Sequence, residues 1–446
     1  MFEVQEKPIL VERAFIVGIE YPDDEHDQID LLLDELNDLV ETLGIKVCSR
    51  EIIRIRTPRA KFLLGPGKVR EVIQLARKYK CDCIVFDADL SPGQQRNWEH
   101  ESKTCVIDRQ EVILDIFADR AQSKEASLQV DLARMQYSLP RLKRAWTHLS
   151  RQRGGGTTQR GEGEAQLELD QRMIRTRITK LKKDIGKIVK QRSLQRKRRQ
   201  KVSIPTAAIV GYTNAGKSSL LNHLTGASVL IEDKLFATLD PTTRQLTLPS
   251  GQKILLTDTV GFIRRLPHHL ISSFKATLEE AVVSDFLIHV IDITGPQIDQ
   301  YRKTTLNVLK ELGSDEKQII TVFNKIDLLD SKQRNDIKFN TGIGSYYVST
   351  KTGEGINTLI NQMDVFLGDS MSFMELLIPH NRYDLISRLH QMGGIKNEKV
   401  AEEGVYIQGN VPRLLVNQFI SFKMHPINGI SNRINGEHID YKNKPH

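Results

Sequence analysis

An eight-residue motif at positions 211–218, Gly-Tyr-Thr-Asn-Ala-Gly-Lys-Ser, constrains the fold of this chain more than any other feature. It follows the apolar run TAAIV and precedes SLLNHL, so the pattern predicts a strand, a loop and then a helix. Glycines permit a tight loop whose N–H groups point at phosphate oxygens, and the helix N-terminus adds partial positive charge. The motif therefore predicts a phosphate-binding loop in which Lys217 reaches the β- and γ-phosphates and Ser218 ligates Mg²⁺.

A second motif, Asp-Thr-Val-Gly at 258–261, follows the strand-like run KILLT about 40 residues after the loop. At the end of such a strand, Asp258 is expected to hold the Mg²⁺ through a water molecule. The Gly261 N–H is expected to sense the γ-phosphate.

Between these two motifs lies Phe-Ala-Thr-Leu-Asp at 236–240. Thr238 carries the hydroxyl of this motif and is therefore the candidate for a second direct Mg²⁺ ligand. Thr242 and Thr243 are the alternatives, because they carry the same group a few residues later.

Two later motifs indicate which base is bound. Asn-Lys-Ile-Asp at 324–327 follows the run IITVF, and Ser-Thr-Lys at 349–351 follows SYYV. The Asp327 carboxylate can accept from both the ring N–H and the exocyclic amine of guanine, and adenine would leave it desolvated and unpaired. Asn324 and Lys325 would brace the loop and cover the base, with main-chain N–H groups of 349–351 behind it.

Because the carboxyl ends of parallel strands share one rim of a sheet, these motifs predict a single nucleotide site. Three residues are expected to act in catalysis, namely Lys217, Thr238 and Gly261. The full candidate binding set is Gly211, Tyr212, Thr213, Asn214, Ala215, Gly216, Lys217, Ser218, Ser219, Phe236, Ala237, Thr238, Leu239, Asp240, Asp258, Thr259, Val260, Gly261, Asn324, Lys325, Ile326, Asp327, Ser349, Thr350 and Lys351.

Positive charge is concentrated in one segment. The chain has 64 basic and 56 acidic residues, and residues 141–201 contain 20 of the basic and 5 of the acidic ones. The rest of the chain, with 44 basic and 51 acidic residues, is net negative. A localised basic surface is typical of proteins that bind nucleic acid. For residues 191–201 a solvated helix face explains the charge equally well.

The same segment predicts an antiparallel helical hairpin. Apolar residues recur at alternating steps of four and three along 128–149 and again along 174–188, which places them on one face of each helix. The glycine-rich stretch 151–163 between them predicts a flexible basic loop, and Pro140 predicts a kink in the first helix.

The sequence pattern as a whole predicts a multidomain α/β protein. Strands alternate with helices in residues 1–122, which indicates an N-terminal α/β domain with a mostly parallel sheet. The helical hairpin occupies 123–202, and the domain of the phosphate loop, with a mostly parallel sheet and helices on both faces, occupies 203–367. Residues 368–446 predict a small C-terminal α/β domain with a polar tail.

The chain resembles the HflX family of ribosome-associated GTPases. The segments that carry the resemblance are GPGKVREV (65–72), GGGTTQRGEGEAQLELDQR (154–172), GYTNAGKSSLLN (211–222), FATLDPTTR (236–244) and DTVGFIR (258–264). The resemblance implies GTP hydrolysis and GTP-dependent binding to the large ribosomal subunit and its RNA. It also implies a role in splitting or rescuing ribosomes or in subunit biogenesis. An RNA-directed P-loop NTPase that uses ATP or GTP is the alternative, and Asp327 distinguishes the two.

Two positions bear on the rate of hydrolysis. Many GTPases orient the attacking water with a glutamine after the D-x-x-G motif, where this chain has Phe262. We therefore expect slow turnover by the protein alone and stimulation by the ribosome. Asn214 could hold a K⁺ ion against the phosphates, or could simply cap the loop.

The expected location is the cytoplasm and the expected state is a monomer. No run of about 18 apolar residues is present to span a membrane. The N-terminal residues mix charges with apolar side chains, unlike a secretory signal. Four cysteines in 446 residues cannot form a disulfide framework.

Overall fold

The computed structural model describes residues 11–22, 26–152, 159–200, 204–227, 235–265, 280–295, 297–334, 345–368, 371–392, 394–412 and 416–424. The centre of the glycine-rich tip, 153–158, and the polar tail from 425 onward lie outside the described residues. In the part of the chain that is described, no helix combines the length and the apolar character needed to cross a bilayer.

The described helices are α1 (His26–Thr42), α2 (Pro66–Lys78), α3 (Pro92–Ser102), α4 (Arg109–Arg120), α5 (Lys124–Gln152), α6 (Gln159–Gln200), α7 (Lys217–Thr225), α8 (Ile298–Glu311), α9 (Ile356–Gly368), α10 (Tyr383–Met392) and α11 (Val416–Phe419). The strands are β1 (Arg13–Glu20), β2 (Lys46–Arg54), β3 (Cys83–Phe86), β4 (Cys105–Asp108), β5 (Thr206–Gly211), β6 (Thr242–Thr247), β7 (Lys253–Asp258), β8 (Phe286–Asp292), β9 (Ile319–Asn324), β10 (Ser345–Tyr347), β11 (Met371–Ile378), β12 (Ile395–Ala401) and β13 (Gly404–Pro412).

The N-terminal unit is a four-stranded parallel sheet in the order β2-β1-β3-β4. Residues of the central strand β1 are buried on both sides: Phe15 and Val17 pack in one cluster, Ala14 and Ile16 in the other. Burial on both faces explains why β1 is a continuous apolar run rather than an alternating one. The predicted mostly parallel α/β sheet is confirmed.

The hairpin consists of α5, with 29 residues, packed against α6, with 42 residues. At 1.5 Å rise per residue, α6 is about 60 Å long. The prediction of a loop over 151–163 was too wide, because α5 continues through Gln152 and α6 begins at Gln159. Gly161 and Gly163 are thus helical; isolated glycines cost about 1 kcal/mol each relative to alanine, which a long helix tolerates. Pro140 lies inside α5, which continues on both sides of it.

The third unit is a six-stranded sheet in the order β10-β9-β8-β5-β7-β6. All neighbouring strands run parallel except β6, which is antiparallel to β7 at the edge. The four strands that lead into motifs, β5, β7, β9 and β10, therefore direct their carboxyl ends to one rim. This arrangement matches the predicted P-loop GTPase fold.

The C-terminal unit is an antiparallel sheet in the order β11-β13-β12, with α10 packed through Leu385, Ile386 and Leu389 against Leu376 and Ile407. The strands β11 and β13 and the helix α10 could be predicted from the apolar patterns of their sequences. The strand β12 was not predicted, since its sequence, IKNEKVA, is largely exposed.

Candidate active site

The phosphate loop joins β5 to α7, and it is shaped by close backbone approaches. Gly216 has φ +92°, and a Cβ at this position would lie 2.1 Å from Nδ2 of Asn324. At Gly261 a Cβ would lie 2.8 Å from both Lys217 Nζ and Thr213 Cα. These distances exclude a side chain at either glycine, so the loop backbone can approach the motifs at 258–261 and 324–327 directly.

Lys217 is the first residue of α7, and its side chain is buried beneath the loop. Its Nζ donates to the Tyr212 carbonyl at 2.7 Å. Burial lowers the pKa of Lys217 to about 8, and the nearby Asp258 carboxylate partly opposes this shift. A buried ammonium of this kind gains strongly from a phosphate oxygen placed beside it.

Three of the predicted metal ligands meet beside Lys217. Ser218 Oγ donates to Asp258 Oδ2 at 2.5 Å and lies 2.7 Å from Thr238 Oγ1. Because the Ser218 hydroxyl has a single proton, Thr238 is the donor in the second contact. Asp258 is fully buried, and its Oδ1 has no hydrogen-bond partner among the described residues.

This donor set fits Mg²⁺, which prefers carboxylate and hydroxyl oxygens. Burial raises the pKa of Asp258, against the lowering effects of Lys217 and Ser218. A buried carboxylate with one oxygen unpartnered is stabilised by a bound cation. Of the two alternative threonines, Thr243 is in β6 and its hydroxyl lies 2.9 Å from that of Thr257. Thr238 is thus the one that the structure brings to Ser218.

The base-recognition motifs are tied to the phosphate loop. Asn324 Nδ2 donates to the Ala215 carbonyl at 3.0 Å, and Asn324 Oδ1 accepts from the Thr350 N–H at 3.1 Å. The Ser349 hydroxyl donates to Asp327 Oδ1 at 2.6 Å. Lys325, at φ +67°, pairs with Asp292 at 2.7 Å. One asparagine therefore braces the loop against the base side of the site.

A cavity of about 300 Å³ opens between these motifs. Each residue that lines it belongs to the predicted set: Thr213, Asn214, Gly216, Lys217, Ser218, Ser219, Phe236, Ala237, Thr238, Thr259, Gly261, Asn324, Lys325 and Thr350. The other predicted residues are not part of this lining: Gly211, Tyr212, Ala215, Leu239, Asp240, Asp258, Val260, Ile326, Asp327, Ser349 and Lys351. Asp258 still contacts the lining through Ser218, whereas Asp327 contacts Ser349, which lies outside the lining.

Asp240 is directed toward the N-terminal unit. Its Oδ2 accepts from the N–H groups of Gln122 and Ser123 at 3.1 and 2.9 Å, and its Oδ1 accepts from the Ser123 hydroxyl. Phe236 packs edge-on against Phe117 of α4, with ring centroids 4.7 Å apart. The segment that carries Thr238 thus contacts Ser218 and the N-terminal unit at the same time.

A buried charge cluster between the two units was not predicted. Arg109 at the start of α4 pairs with Glu35 and, at 2.8 Å, with Asp87, and it donates to the Arg264 carbonyl at 3.2 Å. Arg265 pairs with Asp87 at 3.2 Å. Arg264 and Arg265 follow directly on DTVGFI, so this motif is joined to the N-terminal sheet.

Three parts of the chain match models of known protein families. Residues 206–325 match the family described as "50S ribosome-binding GTPase". Residues 31–118 and 120–199 match "GTP-binding GTPase N-terminal" and "GTP-binding GTPase Middle Region".

The chain is 47% identical over 435 residues to GTPase HflX of Akkermansia muciniphila, covering 95% of this chain and 99% of that protein. It is 39% identical over 403 residues to GTPase HflX of Escherichia coli, covering 90% and 94%. A solved GTP-binding protein from Sulfolobus solfataricus in complex with GDP is 26% identical, with a TM-score of 0.43, over 80% of this chain and 99% of that one.

Proposed function

The chain belongs to the HflX family of GTPases, and we propose that it uses GTP to control its own binding to the large ribosomal subunit. It is a GTP hydrolase of the ribosome-binding class. The finer proposal has three parts: the subunit is bound in the GTP state, the hairpin reaches ribosomal RNA, and binding serves to split or rescue ribosomes or to assist subunit biogenesis.

One observation supports GTP control above all others. The segments that carry Thr238 and Gly261 both lie against the part of the chain from which the hairpin begins. The first does so through Asp240 and Ser123, at 2.9 Å, and the second through Arg265 and Asp87, at 3.2 Å. A change at either segment on nucleotide exchange therefore acts on the base of the hairpin.

The residues of the site would divide the chemistry among them. Ser218, Thr238 and Asp258, the last through water, would hold Mg²⁺, which when bound neutralises charge on the β- and γ-phosphate oxygens. Lys217 would contact the same phosphates, and the Gly261 N–H would donate to the γ-phosphate. Asp327 would select guanine.

Slow turnover by the protein alone is supported by the position of Phe262. Its side chain is 1% exposed in a cluster with Tyr212 and Phe236, and it cannot hydrogen-bond a water. Its backbone pairs with the phosphate loop, with the carbonyl accepting from the Thr213 N–H at 2.9 Å. We propose that the ribosome supplies the missing polar contact.

The test is co-sedimentation with separated ribosomal subunits in a GTP analogue, in GDP and without nucleotide. We expect large subunits to carry the protein down in the analogue at least tenfold more efficiently than in GDP. Lys217→Ala should remove this difference, whereas binding that ignores the nucleotide would contradict the proposal. A fall in light scattering when the protein and GTP are added to 70S particles would identify splitting.

The role of K⁺ is tested separately, since Asn214 lines the cavity at the phosphate loop with φ +58°. We propose that its amide oxygen holds K⁺ against the phosphates. Hydrolysis should then be several-fold faster in KCl than in NaCl, and Asn214→Ala should abolish the difference. Equal rates of the unaltered protein in the two salts would refute the K⁺ site.

A further inference from the structure

Ser123 lies one residue before α5 and joins the hairpin to the segment that carries Thr238. Its hydroxyl donates to Asp240 Oδ1, and its N–H donates to Asp240 Oδ2 at 2.9 Å. The same hydroxyl accepts from the Ala126 N–H at 3.0 Å, so Ser123 also caps α5. The Ser123 hydroxyl is therefore hydrogen-bonded both to the first turn of α5 and to the Asp240 carboxylate.

The energetics favour this contact in two ways. Asp240 receives three hydrogen bonds, two of them through backbone N–H groups, and hydrogen bonds to a charged acceptor are stronger than neutral ones. The carboxylate also lies at the N-terminus of a 29-residue helix, where the helix dipole stabilises negative charge.

Asp240 follows Thr238 by two positions. Thr238 Oγ1 lies 2.7 Å from Ser218 Oγ, and between Thr238 and Asp240 lies Leu239, which is buried. Two extended residues span at most about 7 Å, so fixing Asp240 at Ser123 limits how far the backbone can carry the Thr238 hydroxyl. On the other side, Phe236 is held against Phe117.

From these contacts we propose that Ser123 is a positioning residue for GTP hydrolysis. It fixes Asp240, and through Asp240 it holds the Thr238 hydroxyl beside Ser218 and Asp258, the residues that would hold Mg²⁺. Because linkage is reciprocal, a ligand that engages Thr238 must in turn stabilise the first turn of α5. This inference rests on the proposed function and deepens it: the start of the hairpin is where occupancy of the site by Mg²⁺ and GTP is transmitted.

The test uses the full-length protein without ribosomes, and the probe is amide hydrogen exchange over residues 122–127. In the unaltered protein, a GTP analogue with Mg²⁺ should slow exchange there several-fold relative to GDP with Mg²⁺. Ser123→Ala should erase this difference between nucleotides. Loss of the helix cap alone would speed exchange equally in both states, so the difference reports coupling and not capping.

Two variants serve as controls. Ser123→Thr keeps a hydroxyl at the cap and should retain the difference. Ser138→Ala removes a hydroxyl from the same helix, one that donates to the Arg134 carbonyl at 2.7 Å, and should also retain it.

A second readout is the Mg²⁺ requirement, measured by calorimetric titration of Mg²⁺ into protein with the GTP analogue and by the Mg²⁺ dependence of hydrolysis. Losing a charge-assisted hydrogen bond should raise the half-saturating Mg²⁺ concentration roughly tenfold in Ser123→Ala. GDP affinity, which does not involve the γ-phosphate, should change less than twofold and shows that the variant is folded.

If Ser123→Ala keeps both the nucleotide-dependent protection and the Mg²⁺ requirement of the unaltered protein, the proposal is overturned. If Ser123→Ala fails to bind GDP, Asp240→Asn is tested instead. If Asp240→Asn still exchanges its amides at 122–127 more slowly in the GTP analogue than in GDP, the proposal is equally overturned. Since no ribosome is present, these outcomes are independent of the co-sedimentation test, which alone decides whether the subunit is bound.

Discussion

The hydroxyl of Tyr212, the second residue of the phosphate loop, donates a hydrogen bond to the carboxylate of Glu35 in α1. The same hydroxyl accepts from the backbone N–H of Arg264 at 2.8 Å. A single side chain thus joins the phosphate loop, the segment after DTVGFI and the N-terminal unit. Within the nucleotide-binding unit its ring also packs against Tyr301, with centroids 4.4 Å apart.

Replacing Tyr212 by Phe tests the energetic value of this junction. The change keeps the ring but leaves the Arg264 N–H without its acceptor, and it leaves Glu35 Oε2 with only the Arg264 side chain, at 3.6 Å. Leaving buried polar groups unsatisfied should lower the free energy of unfolding by about 1–3 kcal/mol, measured by urea denaturation. Tyr301→Phe is the matched control, because it removes a hydroxyl from the ring that packs against Tyr212. Equal losses of stability in the two variants would argue against the Glu35 contact.

Arg109→Met probes the charge cluster beneath that junction. Arg109 is 3% exposed and Asp87 is 1% exposed, so the substitution would remove the Arg109 charge from the buried carboxylates of Glu35 and Asp87. Removing one member of a buried ionic group typically costs about 3–5 kcal/mol. The control is Arg134→Met, which breaks a half-exposed pair with Asp115 and should cost less than about 1 kcal/mol. A small loss of stability at Arg109 would mean that water solvates the cluster.

Most of the architecture could be predicted from the sequence, because strands buried on both faces leave uninterrupted apolar runs. The helix α3 was missed, since its only large apolar side chain is Trp98. Its signal was present in another form: Ser91 and Gln94 form a capping box around Pro92 at the first turn. The edge strand β12 was missed for a similar reason, because exposure removes the apolar pattern that marks a strand.

The candidate site likewise has a part that could be predicted from the sequence and a part that could not. Candidate residues in local backbone motifs could be predicted, since the geometry of a phosphate loop itself dictates glycine, lysine and hydroxyl positions. The partners between units could not. Arg109 and Glu35 are 74 positions apart, and Ser123 and Asp240 are 117 apart. Nothing in the local pattern of an amphipathic helix shows that Glu35 pairs with Arg109 and Tyr212 rather than facing solvent.

Base selection can be tested at Asp327. Asp327→Asn replaces an acceptor by a group that also donates, which removes the complement to the two donors of guanine. We expect the affinity for GTP to fall at least 100-fold and the affinity for the xanthosine nucleotide to rise, in competition binding assays. The control is Asp330→Asn, three residues along the same loop, where Oδ1 accepts from the Gln333 N–H. An unchanged preference in Asp327→Asn would overturn the assignment of this motif.

The low pKa of Lys217, about 8, predicts that nucleotide binding depends on pH. Bound phosphates favour the charged ammonium, so its pKa must rise in the complex and the protein must take up a proton on binding. Above pH 8 the free protein loses this proton, and affinity should fall roughly fourfold between about pH 7 and pH 8.5. Calorimetry in buffers of different ionisation enthalpy measures the proton uptake directly. A pH-independent affinity with no proton uptake would show that Lys217 is already fully charged in the free protein.

The basic hairpin is expected to bind RNA through its phosphates, and this has a quantitative signature. Each phosphate neutralised releases counterions, so the logarithm of the affinity should fall linearly with the logarithm of the salt concentration. Arg175, Lys182 and Lys183 are exposed on α6. Replacing all three by Gln should reduce the slope by about one for each phosphate that is no longer neutralised, as measured by fluorescence anisotropy with large-subunit RNA.

The control for this triple variant removes the same charge elsewhere. It carries Gln at Arg77, Lys78 and Lys103, which are exposed on the N-terminal unit. Because these side chains lie outside the hairpin, the slope should stay close to that of the unaltered protein. If both variants lower the slope equally, net charge and not the hairpin determines RNA binding.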